Sequence, residues 1–229
     1  MPIVRYGEWG RALLLFPTSH SDLWDNENFG LIGSIKHHID AGKLSVFCVN
    51  TINNQTWADH GLAPREKARR QALYAGYIED EVVPHIRRTL GDDSARLGVA
   101  GCSFGAFHAA NSFFRRPDQF DTLIAMSGFY ELFPYWLHGF SNDDVYFNNP
   151  MWYAPRTHGH ARHLLDHSQI HLLSGQGAFE FPDKSRDFSR ALGAAGIGHN
   201  LDLWGHDVPH DWPSWHKMLE HYVGQRIGW

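Results

Sequence analysis

The sequence predicts an α/β fold, a mostly parallel central sheet with helices on both faces, and three observations carry that expectation. Short, continuous apolar runs recur along the chain, as they do in strands buried on both faces. Segments with helical spacing separate those runs, and steady strand–helix alternation builds a parallel sheet covered on each side. The length of 229 residues suits one such domain, 1–229, with a sizeable core.

Taken in order, Val4 to Tyr6 reads as a short edge strand, and Ala12-Leu13-Leu14-Leu15-Phe16 as a buried parallel strand that Pro17-Thr18-Ser19-His20-Ser21 breaks. From about Asn28 to Ala41 the spacing of Phe29, Ile32, Ile35 and Ile39 predicts a helix, ended by Gly42. Leu44 to Val49 is the next strand. Pro64 then opens a long helix whose inner face carries Ala75, Ile78, Val82 and Ile86, with a kink expected at Pro84. Leu97 to Ala100, Thr122 to Met126, Ile170 to Leu173 and Leu201 to Trp204 supply four more strands. One segment, 129–169, breaks the alternation: it is long, irregular and aromatic, and reads as a lid-like insertion or pocket wall. Trp136 and Trp152 within it are the candidate substrate-binding residues. An aromatic satellite core covering the sheet edge is the alternative.

Charge and composition exclude several classes. A formal net charge of −5 and a pI near 6.4 disfavour nucleic-acid and anionic-membrane partners, which need a cationic surface. The pairs Arg69-Arg70 and Arg87-Arg88 are offset by nearby carboxylates. No stretch is long and apolar enough to span a membrane, and Met1-Pro2-Ile3-Val4-Arg5 is no secretory leader. Cys48 and Cys102 end strands that another strand should separate, so reduced thiols and a cytoplasmic setting are expected. His158, His160 and His163 match no common zinc spacing, and no metal is expected there.

The chemistry centres on Gly101-Cys102-Ser103-Phe104-Gly105, between an apolar strand and a helix. A serine flanked by glycines at a strand-to-helix turn is a nucleophile elbow, which stands the hydroxyl at the carboxyl edge of the sheet. A serine is a poor nucleophile alone; it needs a base, and the base needs an orienting acid. Glu180 follows one later strand and His210 the next, in the order serine, acid, histidine. His210, anchored by Asp211-Trp212-Pro213-Ser214-Trp215, is favoured over His206. Glu180 is favoured over Asp183, which is placed to cap a helix, and Asp207 lies too near the histidine loop. Oxyanion donors are expected at the backbone of Phe104 and in the turn after Leu13 to Phe16, at Ser19 with Thr18 as its neighbour.

These residues, together with Tyr77-Ile78-Glu79-Asp80-Glu81-Val82-Val83-Pro84, Asp144-Val145-Tyr146-Phe147-Asn148-Asn149-Pro150 and His210-Asp211-Trp212-Pro213-Ser214-Trp215, resemble a known group. Across almost the entire chain the sequence is similar to the putative-esterase branch of the α/β-hydrolases, which includes esterase D, enterochelin esterases, mycolyltransferases and feruloyl or acetyl xylan esterases. The resemblance implies Ser103 as nucleophile, His210 as base, Glu180 as acid, and no metal or organic cofactor. The first strands are abbreviated relative to that branch, and Pro17-Thr18 stands where many of its members carry His-Gly. The expectation is a serine carboxylic ester hydrolase working through an acyl-enzyme on a small or medium acyl or aromatic ester. Its partner would be a small-molecule ester, and a homo-oligomer is compatible with the sequence. An acyltransferase with the same triad and a catalytically silent binding protein of the same fold are the alternatives.

Overall fold

The computed structural model describes residues 1–229. Seven strands form one sheet: β1 Ile3–Tyr6, β2 Arg11–Phe16, β3 Leu44–Val49, β4 Leu97–Cys102, β5 Phe120–Met126, β6 Gln169–Ser174 and β7 Asn200–Leu203. Their spatial order is β1-β3-β2-β4-β5-β6-β7. β1 pairs antiparallel with β3, and every other pairing is parallel. The apolar runs are continuous because both faces are covered: Ala12, Leu14 and Phe16 enter one core and Leu13 and Leu15 the other. Cys48 and Cys102 are buried and unbridged, with β2 between their strands.

The order of the strands fixes where a ligand can sit. From β2 the chain steps outward to β3, then returns to place β4 on the other side of β2. Such a reversal opens a crevice beyond the carboxyl ends of the strands on either side. The turn after β2 and the turn after β4 are therefore neighbours. That proximity is a consequence of strand order alone.

Two predicted helices differ from expectation. The segment 28–41 is broken into single turns, Asp25–Asn28, Leu31–Ser34 and Lys36–Asp40. Gly30 takes φ 83°, which a continuous helix cannot hold. Phe29 consequently leaves the inner face and stacks on Trp212 with ring centroids 4.9 Å apart. The long helix runs Pro64–Tyr77, widens into a π turn over Ile78–Val82 and resumes as Val83–Leu90. Pro84 has no N–H to return to the preceding turn, and the π turn is where the helix absorbs that loss. Ala75, Ile78, Val82 and Ile86 are all buried, as their spacing predicts. No helix is long and apolar enough to cross a membrane.

Candidate active site

At the end of β4 the backbone turns so sharply that side chains are excluded on both sides of Ser103. A carbon built on Gly101 would stand 2.3 Å from the Gly105 carbonyl, and one built on Gly105 would stand 2.7 Å from the carbonyl oxygens of Phe16 and Pro17. Real side-chain carbons do not approach that closely, so both positions require glycine. Ser103 itself takes φ 56° and ψ −118°, a strained conformation that the surrounding structure must hold in place. Its N–H donates to the Met126 carbonyl at 2.8 Å, tying the turn to the end of β5. The helix Phe104–Arg115 starts immediately after it. The tight approach of Gly105 to Phe16 and Pro17 also brings Ser19, just beyond, to the hollow that Ser103 faces.

The serine, the histidine and the glutamate meet. Ser103 Oγ lies 3.0 Å from His210 Nε2, and His210 Nδ1 lies 3.2 Å from Glu180 Oε2. The Glu180 side chain is fully enclosed. Its carboxylate accepts hydrogen bonds from Ser127 Oγ, from Ser174 Oγ at 3.2 Å and from the Gly175 N–H at 3.2 Å. Burial alone would raise its pKa; the bonds from His210 and Ser127, the imidazole's charge and the Gly175 N–H outweigh it and hold the carboxyl below its usual value. Trp215 packs edge-on against the His210 ring at 4.9 Å and donates from Nε1 to Ser127 Oγ at 3.0 Å. Cys102, beside the serine, is shut in the core, and burial pushes its thiol well above the ordinary value. That thiol is no competing nucleophile.

The loops that carry acid and base are laced together. The Gly177 N–H donates to the Val208 carbonyl at 2.9 Å, the His210 N–H to the Ala178 carbonyl at 2.9 Å, and the Gln176 side chain to the Trp204 carbonyl at 2.8 Å. A carbon on Gly175 would stand 2.1 Å from the Val208 oxygen, so glycine allows the two loops to touch. The rejected alternatives lie elsewhere. Asp183 is at the surface, paired with Arg186 at 2.8 Å, and His206 and Asp207 are exposed.

A cavity of about 630 Å³ opens at Ser103 and His210. Ser19, Phe104, Phe129, Phe133 and Trp136 are on its wall. Phe129 stacks on both Phe104 and Phe107 with centroids 5.0 Å apart, so the wall is fixed to the elbow helix. Trp136 is only 8% exposed and serves both the wall and the aromatic cluster beneath it. Trp152 is not on the cavity. Its indole donates to Glu131 at 3.0 Å and it flanks the same cluster. No residue of 137–169 lines the cavity, and Tyr153 is buried against Asn111. Trp215 belongs to the segment the sequence marked as anchoring His210, whereas Ser127 and Ser174 carry no such mark; only the position of Ser127 at a strand end, before Gly128, could have pointed to one of them.

Comparison with known proteins is consistent with this architecture. A family model described as "Putative esterase" matches residues 49–223. No curated protein sequence matches the chain. Among solved structures, a ferulic acid esterase superposes with a TM-score of 0.70 at 19% identity, covering 94% of this chain and 83% of its own. An S-formylglutathione hydrolase from Agrobacterium tumefaciens gives 0.67 at 14% identity, covering 94% and 83%. MPT51 of Mycobacterium tuberculosis gives 0.69 at 16% identity, covering 99% and 92%. At these identities the likeness is one of fold, the α/β-hydrolase fold.

Proposed function

The chain belongs to the esterase family whose model spans most of its length, and from that premise we propose that it hydrolyses a carboxylic ester of a small or medium acyl group or an aromatic acid through an acyl-enzyme at Ser103. The observation that carries the reading is the unbroken hydrogen-bond line from Ser103 Oγ through His210 to the enclosed Glu180 carboxylate, at the mouth of an aromatic cavity.

In the first half-reaction Ser103 Oγ attacks the ester carbonyl while His210 Nε2 takes its proton. Glu180, held acceptor-only by its other donors, keeps the Nδ1–H tautomer of His210 in place and balances the imidazolium. The oxyanion is accepted by the backbone N–H of Phe104, unpaired at the helix start, and by that of Ser19. His210 then returns the proton to the leaving alcohol. In the second half-reaction the same imidazole deprotonates water, which attacks the acyl carbonyl and releases the acid and Ser103. Every proton and electron pair is moved by these groups, and the sequence of steps calls on no metal or organic cofactor. Phe129, Phe133 and Trp136 hold the substrate body, so the start of the 129–169 segment serves as the pocket wall. Two buried, unbridged thiols support a cytoplasmic setting.

Incubation with a fluorophosphonate probe should label Ser103, and a 4-nitrophenyl ester should be turned over to free acid. Failure of the folded protein to label would leave a binding protein of this fold as the reading. A product dominated by transfer to an added alcohol would make it an acyltransferase.

A further inference from the structure

We propose that the cavity selects esters carrying an anionic group, and that Lys184 is the residue that selects them; this rests on the esterase reading above. The 16 residues lining the cavity include Lys184, His20, His60 and His210, and no aspartate or glutamate. That is a local bias against the whole chain, whose formal net charge is −5. The helix bearing Lys184, Pro182–Ala194, contains two carboxylates, and both are taken by arginines three residues on: Asp183 by Arg186 at 2.8 Å, and Asp187 by Arg190. Lys184 forms no ion pair within 4.0 Å.

Lys184 is half-buried as a residue, and its Nζ stands 5.6 Å from the centre of the Phe133 ring, on the same wall that faces Ser103. An aromatic face holds a cation loosely and gives it no hydrogen-bond acceptor. A cation beside an apolar wall, with no protein carboxylate in ion-pair contact, is free to be completed by a ligand carboxylate or other anion. Phe133 also stacks on Tyr135, centroids 5.5 Å apart, so the groups around the ammonium suit a flat or hydrocarbon body bearing the charge at its end. The anion can belong to the acyl part or to the leaving alcohol, and matched esters separate the two.

The test measures kcat/KM for two pairs. 4-Nitrophenyl hemiglutarate and its methyl-capped ester place the charge on the acyl side. 4-Carboxyphenyl acetate and its methyl-capped ester place it on the leaving group. In one pair the anionic-to-capped ratio should fall about tenfold in Lys184→Gln, invert in Lys184→Glu and survive in Lys184→Arg, with the preference carried in KM and weakened by salt. Identical ratios in wild type and Lys184→Gln for both pairs would overturn the assignment. Should the wild type turn over none of the four and Ser103 resist the fluorophosphonate, the esterase reading itself fails. Lys184 is then judged by quenching of tryptophan fluorescence with 4-carboxyphenyl acetate: binding about tenfold weaker in Lys184→Gln supports it, and equal affinity sinks it.

Discussion

The ends of β4 and β5 lie side by side, and each is a serine forced to positive φ, 56° at Ser103 and 52° at Ser127. Such a backbone costs roughly 1–3 kcal/mol at each site. The two hydroxyls are used in opposite ways. Ser103 Oγ faces the cavity and bonds to the Nε2 edge of the imidazole. Ser127 Oγ turns inward, donating to Glu180 and accepting from Trp215. One strained turn presents a reacting atom, and its neighbour fixes the group that orients the base. Strain at a strand end thus marks placement of a hydroxyl, while its partners decide whether that hydroxyl reacts.

The difference can be broken most sharply at Ser103. Ser103→Ala should lower esterase kcat/KM by at least ~10³-fold while thermal unfolding changes little, because no buried partner loses its bond. Ser127→Ala should act on both counts. We expect kcat to fall about 10–100-fold with KM nearly unchanged, and stability to fall by about 1–3 kcal/mol, since Glu180 and the Trp215 N–H each lose a buried partner. A Ser127→Ala enzyme with wild-type kcat would show that Glu180 is oriented without it.

A third measurement concerns what lies behind the elbow. His108, on the elbow helix, is enclosed by aromatic rings and bonds through Nε2 to Asn53 Oδ1 at 2.7 Å. Burial pushes its pKa down to about 3. The folded protein therefore keeps it neutral where the unfolded chain would protonate it. Its contribution is whole above pH ~6.5 and lost as pH falls toward 3, at up to ~1.4 kcal/mol per pH unit. Denaturant unfolding from pH 7 to 5 should show that slope, and His108→Gln should flatten it. His171 adds in the same direction, pushed down to about 4 by burial and then by the charge of Arg226. The smallest expected effect separates strain from bonding: Ser127→Gly should be as slow as Ser127→Ala yet about 1 kcal/mol more stable, because glycine accepts the positive φ. Equal stability of the two would show that the turn at Ser127 is relaxed.

The same pair of turns shows how much a sequence discloses. Around Ser103 the constraint is steric and local, so it leaves glycines at fixed offsets, and Gly101 and Gly105 can be read directly. Around Ser127 the constraint is a set of hydrogen bonds to residues 53 and 88 positions away, which leave no local pattern. The strands were legible because two covered faces demand continuous apolar runs. The segment 28–41 misled because Phe29, Ile32, Ile35 and Ile39 keep helical spacing while Gly30 breaks the helix. For Trp152 the sequence offers only an aromatic ring, and ring chemistry carries no direction; its indole is committed to Glu131.

The lacing of the Gly175–Glu180 and Gly205–His210 loops has a practical corollary for anyone recombining such proteins. Neither loop can be exchanged alone, because each supplies the other's backbone acceptors and the clearance its glycines provide. They form a single heritable cassette, to be transplanted together or not at all. Within it the acid and base travel together, so a transplant has one alignment left to preserve, that of the imidazole with the elbow serine.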